Sequence, residues 1–189
     1  MKPLQWVAMG LVICVLEARF GSYDALPDPI GWLLVLGGLL ALTRRTDVGF
    51  RLGLGYLGVL ALVIATVTWF PAVQDALDDA DPELVWSLDV PALAFQALLC
   101  HALAGLAVGA SERTAATWFR LASLGLAVAL VVPLLYQAGW EWLAPAGDLG
   151  LIVPLVLIGL LFWYSGREWT GAEQHLPRSV RRATEPRGD

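Results

Sequence analysis

The chain has 189 residues, of which 58% are hydrophobic and only 15% are charged, and its mean hydropathy is +0.66. Soluble domains average about 45–50% apolar and about 25% charged residues, so this composition excludes an ordinary soluble domain. The net charge of −5 gives no support to nucleic-acid binding, which needs a basic surface. We therefore expect the lipid bilayer to be the main partner of this protein.

Six apolar blocks make up most of the chain, at 4–20, 29–45, 50–70, 90–110, 117–138 and 148–165. The blocks are rich in Leu and Ala and do not alternate strictly, which favours helices over strands. A helix needs about 20 apolar residues to span a bilayer, and lipid tolerates only a backbone that satisfies its own hydrogen bonds. The sequence predicts an all-α fold, a polytopic bundle of six transmembrane helices over residues 1–165.

Met1 and Lys2 precede the first block, as in a signal peptide, but Glu17 and Arg19 interrupt the region where a cleavage site would lie. We therefore predict a retained helix. Gly10, Cys14, Glu17 and Gly21 recur at helical spacing. Small residues on one face allow another helix to approach, so Glu17 is expected on a packing face.

The second block opens with Asp28 and Pro29, a residue pair typical of a helix start. The block is about 25 Å long as a helix, which is less than the hydrocarbon core of about 30 Å. Two interpretations follow. Asp28 is either a simple cap at the membrane interface, or residues 23–28 dip inward and Arg19, Asp24 and Asp28 form an outer vestibule.

The residues Leu26-Pro27-Asp28-Pro29-Ile30-Gly31-Trp32-Leu33-Leu34 carry the pattern L-P-D-x-I-G-W-x-L. This pattern resembles a motif of small uncharacterised multi-pass bacterial membrane proteins that carry L-P-D-x-I-G-[WY]-x-L. The chain departs from that motif at Pro29, where an aromatic residue is expected. The resemblance implies a multi-pass membrane protein and implies no activity.

The segment 71–91 is the longest connection on the acidic side and contains Asp75, Asp78, Asp79 and Asp81. Such carboxylates can bind a divalent cation, but no ordered loop signature accompanies them, so a solvated acidic cap is the favoured interpretation. Asp81-Pro82-Glu83 is a helix-start signal for one short turn, and Asp89-Val90-Pro91 is a second start signal for the fourth span.

Ionisable residues within a membrane indicate function or a specific partner. The intramembrane candidates are Glu17, Gln96 and His101. On the fourth span Ala97, His101, Gly105 and Gly109 recur every four residues, which predicts a packing face for His101. One hypothesis is a polar path for protons or a small cation through these candidates, with Asp28 at its mouth. The favoured alternative is interhelical hydrogen bonding that fixes packing, worth about 1 kcal/mol.

The basic residues flank alternate ends of the blocks, which predicts the orientation because short cytoplasmic loops retain Lys and Arg. They are Lys2, Arg44, Arg45, Arg51, Arg113, Arg120, Arg167, Arg178, Arg181, Arg182 and Arg187, with Arg19 left for the other side. The acidic residues of the opposite connections are Asp24, Asp28, Asp75, Asp78, Asp79, Asp81, Glu83, Asp89, Glu141 and Asp148. We expect both termini to be cytoplasmic, in a bacterial inner membrane.

The chain continues beyond the last block with polar residues 166–189, which include Pro177 and Pro186. We expect this segment to be a disordered cytoplasmic tail whose arginines rest on anionic headgroups.

No enzyme active site is expected, because the spans offer no nucleophile beside an activating base. Cys100 and His101 are adjacent, and their side chains point about 100° apart on a helix. Two cysteines and two histidines are too few for a convincing metal centre, so no cofactor is predicted.

Two functions remain. The favoured one is an accessory or interaction subunit that packs through Gly and Ala faces against itself or a larger membrane complex. The alternative is a transporter or channel for a proton, an ion or a small solute that uses Glu17, Gln96 and His101.

Overall fold

The computed structural model describes residues 2–15, 19–20, 23–24, 28–140, 143 and 149–172. Residues 19–20, 23–24 and Gln137 are described by their backbone alone. Glu17, one of the predicted intramembrane candidates, lies outside the described residues, as do 173–189.

The described part of the chain is helical, as predicted, apart from one pair of two-residue strands. The helices are α1 (Pro3–Val15), α2 (Asp28–Thr43), α3 (Arg51–Thr68), α4 (Pro71–Asp78), α5 (Pro82–Gly109), α6 (Arg113–Gln137) and α7 (Leu149–Tyr164). A short 3-10 helix, Glu168–Thr170, follows α7. The strands β1 (Arg19–Phe20) and β2 (Tyr23–Asp24) pair in antiparallel fashion.

Six of the helices form a closed ring. Following the chain, α1 packs against α2, α2 against α3, α3 against α5, α5 against α6 and α6 against α7, and α7 returns to α1. The short helix α4 packs on α3 and is not part of the ring. Fully buried apolar side chains fill the ring interior and the contacts between its helices, among them Leu4, Leu11, Leu54, Phe95, Leu99, Leu103, Leu126, Leu157 and Leu161.

The outside of the ring is also apolar. Large exposed side chains there include Leu52, Tyr56, Val63, Leu124 and Trp163. Water solvates such a surface poorly, whereas lipid chains solvate it well. Three helices, α3, α5 and α6, are long and apolar enough to cross a membrane. This finding supports a membrane protein.

The ring has a long half and a short half. The long half consists of α3, α5 and α6, which are consecutive in the ring. The short half consists of α7, α1 and α2, apolar helices of 16, 13 and 16 residues. These short helices are about 20–24 Å long at the helical rise, less than a hydrocarbon core of about 30 Å.

The largest differences from the predicted helix boundaries are in α1 and α5. The helix α1 ends at Val15 rather than at residue 20, and Arg19 and Phe20 form β1 instead. The helix α5 begins at Pro82, eight residues before the predicted start at 90. It continues through Pro91, because a single proline withdraws only one N–H and leaves only the Ser87 carbonyl without its helical donor. The helix α4 was not predicted.

The contact between α1 and α2 depends on glycines. A Cβ atom on Gly31 would lie 2.5 Å from Cys14 Sγ and 2.7 Å from the Gly10 carbonyl oxygen. A Cβ atom on Gly38 would lie 2.7 Å from Val7 Cγ2. The predicted small-residue face of α1 is therefore confirmed for Gly10 and Cys14, and its partner is α2.

The chain after α7 folds beneath one end of the ring. We call residues 166–172 the strap. Thr170 is fully buried, and the Trp169 ring lies 6.0 Å from Tyr164 and 6.3 Å from Phe119 between centroids. Arg45 Nη1 donates a hydrogen bond of 2.9 Å to the Gly171 carbonyl. The predicted disorder therefore does not extend to residues 166–172, because the half-buried Trp169 and the buried Thr170 hold the strap in place.

The two ends of the ring differ in charge. At the strap end, Arg167 lies 3.5 Å from Glu112, which precedes α6, and Lys2 lies beside Gly166. The residues Arg44, Arg45, Arg51 and Arg113 also flank helix ends on this side. We call it the basic end. The opposite end, where α2, α5 and α7 begin, carries Asp28, Asp89 and the carboxylates of α4, and we call it the acidic end.

Candidate functional site

A cavity of about 450 Å³ lies inside the ring near the acidic end, and we call it the chamber. All six ring helices contribute to its wall. The lining residues are Leu11, Cys14 and Val15 of α1, Asp28 and Trp32 of α2, Ala61, Ile64, Ala65 and Thr68 of α3, Trp86, Leu88, Asp89, Ala92, Leu93 and Gln96 of α5, Ala129 and Pro133 of α6, and Gly150, Leu151 and Pro154 of α7. This volume is within the range of about 300–1,000 Å³ that small-molecule sites occupy.

The chamber forms for two reasons that the sequence explains. The described parts of the short helices begin or end at its level, since Val15 is the last described residue of α1, Asp28 the first of α2 and Gly150 the second of α7. The long helices present small side chains to the same space, and these are Ala61, Ala65, Ala92 and Ala129. Short walls and small side chains together leave a space that the larger leucines fill elsewhere in the ring.

Two prolines in the chamber wall withdraw hydrogen-bond donors from the backbone. Pro154 has no N–H for the Gly150 carbonyl, and Pro133 has none for the Ala129 carbonyl. Gly150 and Ala129 both line the chamber. Within a membrane, prolines of this kind are tolerated where a polar space or a neighbouring group meets the freed carbonyls.

The polar side chains of the chamber come mainly from α5. Trp86, Asp89 and Gln96 follow one another at helical spacing and face the same space. The Gln96 side chain is only 7% exposed, and its Oε1 has no hydrogen-bond partner in the described part of the chain. The Trp86 Nε1 is likewise buried without a described partner, whereas Asp89 is exposed at the rim. Most buried polar groups are hydrogen-bonded, so an unpartnered amide indicates a place where a ligand can bind.

Asp28 reaches the chamber from the other side, at the first residue of α2. It is half-buried, and its backbone carbonyl accepts a weak hydrogen bond from Cys14 Sγ at 3.8 Å. This position agrees with the interpretation of Asp28 as part of a polar space, and it also agrees with a role at the helix start. Arg19 and Asp24, the other vestibule candidates, face each other in the β1–β2 pair, and their side chains lie outside the described residues.

The structure brings Asp28 and Gln96 to one chamber but leaves His101 outside it. His101 is exposed on the outer surface of the ring, where its ring lies 5.6 Å from that of Phe50. A Cβ atom added to Gly105 or Gly109 would meet nothing within 4 Å. On the expected packing face, Gly105 and Gly109 therefore meet no other described helix, whereas the Ala97 carbonyl accepts a hydrogen bond from Ser123 of α6. Residues five positions apart point about 140° apart on a helix, so Gln96 and His101 face different sides.

Sequence reasoning did not identify Trp86 and Asp89 as site residues, because it predicted a short turn after Asp81-Pro82-Glu83 and a separate helix start at Asp89-Val90-Pro91. The sequence does contain a signal for one continuous helix. Trp86, Asp89 and Gln96 have the spacing of one helical face, and Pro82 can begin such a helix.

The acidic residues of α4 do not build a metal site. Asp75, Asp78 and Asp79 are exposed. Among the described residues no group of three or more His, Cys, Asp or Glu side chains is placed to hold a metal ion. The exposure of these carboxylates agrees with a solvated acidic cap.

Comparison of the chain with family models, with curated proteins and with solved structures gives no match. The chamber and the outer surface of the ring are therefore the features that indicate a function.

Proposed function

We propose that the ring spans a bacterial cytoplasmic membrane with six helices and with both termini on the cytoplasmic side. The basic end supports this orientation, because Arg and Lys remain cytoplasmic when they flank spans on short loops. In this arrangement the chamber faces outward. The three short helices are accommodated by local thinning of the bilayer, at a modest cost per Å of mismatch.

We propose further that the chamber binds a small solute or ion and that the protein transports it. The single observation that carries this proposal is the buried Gln96 amide, which lines the chamber and whose Oε1 has no hydrogen-bond partner among the residues that the structure describes. Had Gln96 served only to fix helix packing, its oxygen would accept a hydrogen bond from a neighbouring helix. Ser123 of α6 makes such a contact, since its hydroxyl donates to the Ala97 carbonyl at 3.0 Å.

The path from the chamber to the basic end is closed. Leu99, Leu103 and Leu126 are fully buried in the ring, and the strap covers that end with Trp169 and Thr170. A solute that enters from the acidic end therefore cannot cross without a rearrangement of these groups. Alternating access of this kind is the usual behaviour of secondary transporters, which bind substrate within the membrane and expose it to each side in turn.

Flux into proteoliposomes tests this proposal. The purified protein is reconstituted, and gradients of protons, alkali cations and small organic solutes are imposed in separate experiments. Ala92→Phe fills the chamber, whereas Ala94→Phe is the matched control, because Ala94 is equally half-buried on α5 but does not line the chamber. We expect flux with the unmodified protein and with Ala94→Phe, and none with Ala92→Phe. Flux that never exceeds that of empty liposomes, or that is equal in both variants, would refute transport through the chamber.

A second candidate function, an accessory or interaction subunit, is favoured by the outer face of α5. His101 is exposed there beside the open surface of Gly105 and Gly109. An ionisable side chain that faces lipid is costly, so a partner helix or a second copy that covers it lowers the free energy. Gly105→Leu should then abolish co-purification of a partner in mild detergent, and Gly55→Leu, at an open position of α3, should not. Purification of a stable monomer without a partner counts against this role.

A further inference from the structure

The polar stripe of α5 indicates which class of solute the chamber accepts. Trp86, Asp89 and Gln96 line the chamber along one face of the helix, over about 15 Å. The stripe thus offers an indole ring and a carboxylate near the rim and an amide deeper inside. These groups differ in what they bind, and their order constrains how a ligand lies.

The charge of the chamber is the first constraint. Asp28 and Asp89 both line it, and among the described lining residues there is no Lys, Arg or His. Asp89 makes no hydrogen bond or ion pair with any residue that the structure describes, and it is accessible from the rim. A carboxylate at the mouth of a low-dielectric space attracts cations and repels anions.

Size and ligand geometry are the second constraint. The chamber volume of about 450 Å³ is far larger than a bare ion needs. A divalent metal also requires several oxygen ligands around one point, and no such acidic group exists among the described residues. Much of the remaining wall is apolar, with Leu11, Trp32 and Leu93. The size and the apolar wall of the chamber therefore fit a cation with a hydrocarbon part better than a bare metal ion.

Hydrogen bonding is the third constraint. An ammonium group brings N–H donors and no acceptor, which matches a carboxylate at the rim and an amide that can turn its oxygen toward the ligand. Trp86 lies one helical turn before Asp89, so a cation that pairs with Asp89 also lies within reach of the indole face. Cation–π attraction to Trp contributes about 0.5–2 kcal/mol, depending on how far water is excluded.

We propose that the chamber binds a small organic ammonium cation. Asp89 pairs with the ammonium group, the Trp86 ring packs against it, Gln96 accepts a hydrogen bond from a ligand that reaches deeper, and the apolar wall holds the hydrocarbon part. This inference rests on the proposed solute-binding function and specifies its substrate class.

The test measures thermal stabilisation of the full chain in dodecyl maltoside. Four probes are compared at equal ionic strength: n-butylammonium, n-butyrate, n-butanol and magnesium chloride. We expect n-butylammonium alone to raise the melting temperature, in a concentration-dependent manner that yields an apparent dissociation constant. Asp89→Asn should weaken this constant by about tenfold or more, because it removes the charge partner.

Two further variants control for folding. Asp89→Glu retains the charge and should keep the dissociation constant within a few fold. Asp78→Asn removes an exposed carboxylate of α4 that does not line the chamber and should change nothing. An equal loss of binding in Asp78→Asn would show a general surface effect and would overturn the assignment of Asp89.

The remaining outcomes separate this inference from the proposed function. Stabilisation by n-butyrate, n-butanol or magnesium that Ala92→Phe abolishes would overturn the cation class and still support a binding chamber. No stabilisation by n-butylammonium would overturn the inference, and the flux measurements would then decide the proposed function by themselves.

Discussion

Gly37 and Gly38 are neighbours in α2, yet their surroundings differ sharply. A Cβ atom on Gly38 would lie 2.8 Å from the Val7 backbone nitrogen and 2.9 Å from the Pro3 carbonyl oxygen. On Gly37 its nearest neighbour would be a Trp6 ring carbon at 3.8 Å, an ordinary contact. Backbone atoms cannot move aside as a side chain can, so only one of the two positions requires glycine.

Gly38→Ala should therefore destabilise the protein by about 1–3 kcal/mol through overpacking of α1 against α2. Gly37→Ala should leave stability unchanged or raise it by up to about 1 kcal/mol, because alanine restricts the unfolded chain. Thermal unfolding in detergent, followed by circular dichroism, compares the two. Equal melting temperatures for both variants would contradict the close approach of α1 and α2.

Ser111 occupies a backbone conformation that favours glycine. Its φ is 62°, and the chain around it closes α5 with two hydrogen bonds, from Ser111 N to the Val108 carbonyl and from Glu112 N to the Ala107 carbonyl. The same arrangement follows α6, where Gly139 takes φ 94°. Both are Schellman ends, which normally carry glycine at this position.

Ser111→Gly should stabilise the protein by about 0.5–1 kcal/mol, because it relieves a left-handed conformation that costs a side-chain residue roughly that amount. Gly139→Ser makes the reverse change at the equivalent position and should destabilise. Both effects are read from the shift in melting temperature. A destabilised Ser111→Gly protein would mean that the serine hydroxyl contributes more than the strain costs.

At the scale of elements, the strap holds the basic end of the ring together. Trp169 packs against Phe119 of α6 and Tyr164 of α7. Trp163 is close in sequence but lies on the outside of the ring with 77% of its surface exposed. The two tryptophans therefore allow a matched comparison between an indole that packs against the ring helices and one that is exposed on the outer surface.

Trp169→Ala should destabilise the protein by about 2 kcal/mol or more, less than the 3–5 kcal/mol of a fully buried tryptophan, since its ring is half-buried. Trp163→Ala should change the melting temperature in detergent little. If the two substitutions have equal effects, the strap does not contribute to the stability of the ring.

The six ring helices were predictable, because apolar blocks of this length have few other solutions in lipid. The start of α5 was not, since both Asp81-Pro82 and Asp89-Val90-Pro91 carry start signals and only packing decides between them. The partner of the His101 face was not predictable for a related reason. A stripe of small residues indicates a face of a helix, but the sequence does not say whether that face turns toward the ring or away from it. Asp28 and Gln96 were identified because polar residues near apolar blocks are rare.

At the scale of the whole molecule, the ring combines a long half and a short half, and its two ends carry opposite charge. The short half consists of α7, α1 and α2, and its ends meet the chamber at Val15, Asp28 and Gly150. The long half supplies the α5 stripe. The chamber lies near the acidic end, and the basic end is packed closed, so the two ends of the ring are not equivalent. The membrane orientation therefore decides which side of the membrane the chamber faces.

The orientation is tested with single cysteines in a background that carries Cys14→Ala and Cys100→Ala. Arg44 follows α2 at the basic end and Asp78 ends α4 at the acidic end, and both are exposed. We expect a membrane-impermeant maleimide to label Asp78→Cys in intact cells and to label Arg44→Cys only after permeabilisation. We expect Arg44 on the cytoplasmic side because the positive charge of the flanking arginines disfavours translocation of this connection across the membrane. The reverse pattern would mean that the molecule has the opposite orientation and that the chamber faces the cytoplasm. Labelling of both sites in intact cells would exclude a ring that spans the membrane.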